Sequence, residues 1–159
     1  MSLARKRFLF VCTGNTCRSP MAERFFLRLA IKAGLDASAC SAGTAATPGA
    51  PLSAGAAELF AKRRFEPVKH RSSLVDGPML AAADAVYVME RAQKADLSAR
   101  FPDAKDKLFV LREAAGLSPA DVEDPAGSDE KEYDACASSI EEALQIIVLR
   151  EKSDAPKPR

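Results

Sequence analysis

The nine residues from Cys12 to Pro20, CTGNTCRSP, constrain this chain more than any other stretch. They join two segments of opposite character. Before them, RFLFV (Arg7 to Val11) is apolar and β-rich, the pattern of a buried strand. After them, Met21, Phe25 and Leu29 recur every four residues beside Ala22, Phe26 and Ala30. That spacing makes one broad apolar helix face, which Gly34 brings to an end. Ser19 is expected to cap this helix and Pro20 to open it. The loop is therefore either a redox pair of cysteines, an anion cradle with a nucleophile at its base, or a plain turn between strand and helix.

The rest of the chain continues the alternation. A weak strand and turn fall at Asp36 to Gly43, and a Pro/Gly loop at Thr47 to Pro51. Helices are expected from about Leu52 to Arg64 and Ser73 to Ala82, strands at Asp84 to Met89 and Lys107 to Leu111, and a long helix from Asp129 to Leu149. Strands alternating with helices imply βαβ units, hence an α/β fold with a parallel sheet and helices on both faces. Ligands of such sheets bind beyond the carboxyl ends of the strands, where CTGNTCRSP lies. Residues 1–150 are expected to form one domain, and the charged, Pro-containing end at residues 151–159 a disordered tail.

Composition narrows the class. With 159 residues, 47% of them apolar, the chain has the size and core of one globular domain. A net charge of +1 supplies no field to recruit nucleic acid or an anionic membrane, and Arg5-Lys6-Arg7 reads as a solvated terminus. No apolar run approaches a membrane span or a signal sequence, so a cytoplasmic protein is expected, with its four cysteines reduced. One histidine and no C-x-x-C pair argue against bound metal.

In that setting the loop's residue types point to phosphate chemistry. A loop running into a helix N-terminus converges backbone N–H groups on one point and attracts an anion. Gly14 and Asn15 suit the unusual backbone such a nest requires. Arg18 carries a planar fork that matches two phosphate oxygens. Cys12, where the N–H groups converge, gains a stabilised thiolate from the same field. Ser19 is placed to donate a hydrogen bond to that sulfur. The spacing Cys-x5-Arg-Ser is specific, whereas G-x-x-x-x-G-K-[ST] is missing and no G-x-G-x-x-G follows the first strand.

The segment VCTGNTCRSPMAE at Val11 to Glu23 resembles the signature of the low-molecular-weight protein tyrosine phosphatases. SAG at Ser41 to Gly43, HRSS at His70 to Ser73 and DP at Asp124-Pro125 match later landmarks of that family in order. The resemblance covers Phe8 to about Leu149. It implies a single three-layer αβα domain with a four-stranded parallel sheet, and a cofactor-free, metal-independent hydrolysis through a phosphocysteine. Carried over by motif, Cys12 is the nucleophile, Arg18 the phosphate clamp, and Asp124 the general acid and then base. The phosphate loop comprises Thr13, Gly14, Asn15, Thr16, Cys17, Arg18 and Ser19. Asn15, Ser19, Ser41 and His70 match the residues that brace it.

The implied substrate is a phosphorylated protein side chain, with inorganic phosphate as product and no nucleic-acid or membrane partner; a monomer is expected. Phosphoarginine is favoured over phosphotyrosine on two grounds. Thr16 resembles the loop residue of the family's protein arginine phosphatases. Ala126, Gly127, Ala45 and Ala46 also leave the slot poor in aromatic walls. Arginine phosphatases usually keep an aromatic residue after Asp-Pro, from which Ala126 departs. Cys17 is a redox candidate able to trap an oxidised Cys12 as a disulfide. Two rivals share the scaffold. An arsenate reductase would relay a disulfide near the third strand, but no cysteine lies between Cys40 and Cys136. A non-catalytic anion-binding module is the other.

Overall fold

The computed structural model describes residues 5–155. Four parallel strands form one sheet: β1 (Lys6–Cys12), β2 (Ala37–Gly43), β3 (Ala85–Val88) and β4 (Leu108–Val110), in the order β2-β1-β3-β4. Among the described residues six helices flank the sheet: α1 (Arg18–Ala33), α2 (Ala54–Lys62), α3 (Gly77–Ala82), α4 (Arg91–Arg100), α5 (Leu111–Ala114) and α6 (Glu130–Asp154), with a 3-10 turn at Pro102–Lys107.

β1 is buried from Phe8 to Cys12 because helices cover both its faces. Its alternation divides the core in two. Phe8, Phe10 and Cys12 face a cluster built with α1, α2, α5 and α6, whereas Leu9 and Val11 face one built with α3 and α4. The larger cluster stacks Phe8 and Phe10 on Tyr87 and packs both against Phe26. Burying each such side chain contributes about 1.5–3 kcal/mol. Cys12 thus stands at the end of the best-anchored strand. The chain crosses from β1 to β2 on one side and returns to β3 on the other, so the crevice at the head of β1 is the fold's switch point.

Three expectations are corrected. α1 begins at Arg18 with Cys17 as its N-cap residue, so Ser19 lies inside the first turn and does not cap it; its hydroxyl is engaged by Cys12 and Asn15. α1 does end at Gly34, in the left-handed conformation at φ 69°. The expected boundary at residue 150 falls inside α6, which runs to Asp154. Two charges of the stretch expected as a disordered tail have partners instead: Lys6 Nζ meets Glu151 at 2.7 Å, and Lys152 Nζ donates to the Gly34 carbonyl at 3.1 Å. Residues 156–159 of the expected tail lie outside the described residues. The stretch expected as a helix from Ser73 is helical only over Gly77–Ala82, capped by Asp76, because Leu74 bridges to Gly43. Among the described residues no helix is long and apolar enough to cross a membrane.

Candidate active site

The site assembles where β1 stops. Cys12 is 2% exposed, and its Sγ is hydrogen-bonded to Ser19 Oγ at 2.9 Å and receives the Asn15 backbone N–H at 3.3 Å. Asn15 takes the left-handed conformation (φ 55°), so the strained position of the loop is Asn15 and not Gly14. The side chain of Asn15 explains how that conformation is held. Its Nδ2 donates to Ser19 Oγ at 2.8 Å and to Ser41 Oγ at 3.0 Å, and its Oδ1 accepts from the Ser73 backbone N–H at 2.8 Å. His70 Nε2 donates to the Asn15 carbonyl at 2.6 Å, which fixes the tautomer of the ring. Asn15, Ser19, Ser41 and His70 are thus brought together as one polar network around Asn15, buried at Asn15 and Ser19 and half-buried at Ser41 and His70.

The glycine this packing requires is Gly43. A Cβ there would lie 2.4 Å from the Thr13 carbonyl oxygen and 3.1 Å from the Asn15 nitrogen. Its bareness lets Thr44 and Ala45 continue the β1–β2 pairing onto the carbonyls of Cys12 and Thr13, at 2.9 and 3.0 Å. Thr16 is half-buried, and its carbonyl accepts from Ser53 at the head of α2.

Arg18 is buried at the start of α1, beside the cradle. Its Nη1 donates to Glu90 Oε1 and, at 2.8 Å, to the Val122 carbonyl; its Nη2 lies 3.7 Å from Asp124 Oδ2. Burial opposes the charge on Arg18, but the Glu90 hydrogen bond and the fields of Cys12, Glu90 and Asp124 outweigh it and raise the guanidinium pKa above its ordinary value. Asp124 sits in the loop between α5 and α6, with its side chain 49% exposed. The loop is pinned two residues earlier, where Val122 N–H donates to the Met89 carbonyl at the end of β3. Asp124 is therefore directed at Arg18 yet open to solvent.

The spacing of the sequence did not reveal Glu90 and Gln93. Gln93 is buried; its Oε1 accepts from the Met89 and Glu90 backbones, both at 2.9 Å, and its Nε2 donates to Thr13 Oγ1 at 3.1 Å. The available signal was Glu-x-x-Gln directly after a strand, a helix-start pattern at the sheet's ligand end. Tyr133 is a second addition. Supplied by α6, it lines a cavity of about 760 Å³ with Ser53, Gly55, Gly127 and Ser128, and its hydroxyl is hydrogen-bonded to Ser53 Oγ at 3.2 Å. Cys12, Arg18 and Asp124 do not line this cavity, so it adjoins the site and is not part of it.

A cysteine at the focus of a helix-head anion nest, on a parallel sheet's switch point, defines an α/β phosphate-handling protein. The chain belongs to the low molecular weight phosphotyrosine protein phosphatase family, whose model matches residues 7–155. It is 35% identical over 146 residues to a protein-arginine-phosphatase of Bacillus subtilis, covering 92% of this chain and 97% of that one. It superposes on a YwlE arginine phosphatase, a mutant with a phosphorylated active-site serine, with a TM-score of 0.89 at 34% identity, covering 93% and 97%. A low molecular weight protein tyrosine phosphatase from T. tengcongensis is equally similar, with a TM-score of 0.87 at 37% identity, covering 91% and 99%.

Proposed function

We propose that residues 7–155 form one phosphoprotein phosphatase unit that works through a phosphocysteine on Cys12. The observation that carries this is the seat of Cys12: a buried sulfur held by Ser19 Oγ and the Asn15 N–H, at the head of the helix that bears Arg18. The Cys12 sulfur attacks phosphorus in line. Arg18 compensates the charge that develops on the equatorial oxygens. Asp124 protonates the departing atom and then, as a carboxylate, takes a proton from the water that releases inorganic phosphate. Ser19 donates to the sulfur as it leaves.

Phosphoarginine is the favoured substrate. Thr16 offers a hydroxyl in the cradle rather than an aliphatic wall, and Ala126, Gly127 and Ala45 keep the rim small. The similarity to the Bacillus subtilis protein-arginine-phosphatase supports the same reading. Phosphotyrosine is the second reading, favoured by the ring of Tyr133 in the neighbouring cavity wall. Matched peptides carrying each phosphoresidue test the choice: a higher kcat/KM on phosphoarginine is expected, with the ratio falling in Thr16→Ile. Preference for phosphotyrosine, or a ratio indifferent to Thr16→Ile, would reject the assignment of Thr16 as selector.

A further inference from the structure

Arg112 lies in the first turn of α5, just after β4, and is 5% exposed. A buried guanidinium is tolerated where its N–H groups are paired. Here each of its nitrogens has an acceptor. Nε donates to the Pro119 carbonyl at 2.9 Å and Nη2 to the Ser118 carbonyl at 3.4 Å. Nη1 donates to the Ser139 carbonyl at 2.8 Å and to Glu142 Oε2 at 3.1 Å. The first two acceptors belong to the loop that leads to Asp124, and the other two to α6. One buried side chain thus fastens the base of the acid loop to α6.

Nearer to Asp124 a cleft of about 200 Å³ opens between the loop and α6, lined by Val122, Asp124 and Pro125 on one side and by Cys136 and Ser139 on the other. Three polar tethers hold the chain above it. The Arg91 N–H donates to Asp121 Oδ1 at 2.8 Å, the Val122 N–H to the Met89 carbonyl at 2.9 Å, and Arg18 Nη1 to the Val122 carbonyl at 2.8 Å. These draw the loop toward the end of β3 and the head of α1. Arg112 holds it from the opposite side, on α6.

We propose, resting on the phosphatase reading, that Arg112 is a positioning residue: by fixing the base of the acid loop on α6 it sets the distance from Asp124 to the leaving atom. It touches no reacting atom itself. Without it the loop shifts over the cleft and Asp124 withdraws from the leaving group, while the cradle built on Cys12 and Arg18 stays in place. A misplacement of about 1 Å in such a group costs up to roughly 10²-fold in rate. Lysine carries the charge but not the planar fork that reaches carbonyls on two elements at once. Arg112→Lys therefore removes the tether with little change of volume.

The test compares the full chain with Arg112→Lys and Arg112→Gln, each also combined with Asp124→Ala, on phenyl phosphate and 4-nitrophenyl phosphate. Phenolate is the poorer leaving group and depends more on the proton from Asp124. The single variants are expected to lose roughly 10–100-fold in kcat/KM on phenyl phosphate and less on 4-nitrophenyl phosphate. Added to Asp124→Ala, they are expected to cost less than about twofold more, because the group they position is gone. Affinity for inorganic phosphate, read by calorimetry, is expected to stay within about twofold of wild type, which also establishes that the variant is folded. An unchanged kcat/KM on phenyl phosphate, an equal loss on both esters, an equal further loss in Asp124→Ala, or loss of phosphate binding in both variants would overturn the proposal alone. A wild type inert toward both esters and toward phosphopeptides would overturn the phosphatase reading, and the proposal with it.

Discussion

Gly43 marks how little space separates β2 from the cradle. The methyl group of Gly43→Ala would meet a backbone carbonyl, not a side chain that can turn aside. The expected cost is at least about 1–3 kcal/mol of stability, read as a lowered melting temperature, with weakened phosphate binding because the loop must move. Glu90 acts on the other side of the site. It touches no reacting atom; it holds Arg18. Glu90→Ala is expected to lower kcat/KM roughly 10–100-fold, and Glu90→Asp to recover part of the loss. An unchanged kcat/KM in Glu90→Ala would remove Glu90 as a positioning residue. Neither role could be read from local pattern. Glu90 lies 72 positions from Arg18, and Gln93 lies 80 from Thr13. Cys12, Asn15, Arg18 and Ser19 were legible because one loop carries them all at a fixed spacing.

At the scale of elements, α1 was legible in its apolar face and its terminal Gly34, but not at its start. There the same serine could serve as a cap or as a partner of Cys12, and only the position of β1 decides between them. α4 was not anticipated because it buries only Gln93 and Leu97, too little for an apolar stripe. α1 also carries Glu23, beside Ser41 and His70. Burial, only partly offset by Arg24, Ser41 and His70, raises its carboxyl pKa above the ordinary value. The folded state therefore favours the protonated acid. The stability this adds is fully present below the ordinary carboxyl pKa and is lost as pH rises through the raised value. Glu23→Gln is accordingly expected to raise the melting temperature at pH 7 relative to wild type, with the gap closing toward pH 4. A gap that widens on acidification would contradict the assignment.

Across the whole molecule, the parallel sheet and the place of the site followed from strand–helix alternation, because right-handed crossovers leave few arrangements open. The boundary at residue 150 was misplaced for a reason of the same scale. Charge along a helix signals a tail only if nothing pairs with it, and here β1 and the end of α1 do. The fold brings the cradle from β1 and α1, Glu90 and Gln93 from the end of β3, and Asp124 from the loop before α6 to one crevice. On the proposed reading, all of these parts serve a phosphoryl group held on the Cys12 sulfur. The most direct test is to trap that species. Asp124→Ala is expected to slow hydrolysis of the intermediate, so rapid acid quenching of a phosphoprotein reaction, with phosphopeptide mapping under conditions that keep the S–P bond, should find phosphate on Cys12. Cys12→Ser should show no turnover. Phosphate recovered on another residue, or multiple turnovers by Cys12→Ser, would contradict the account.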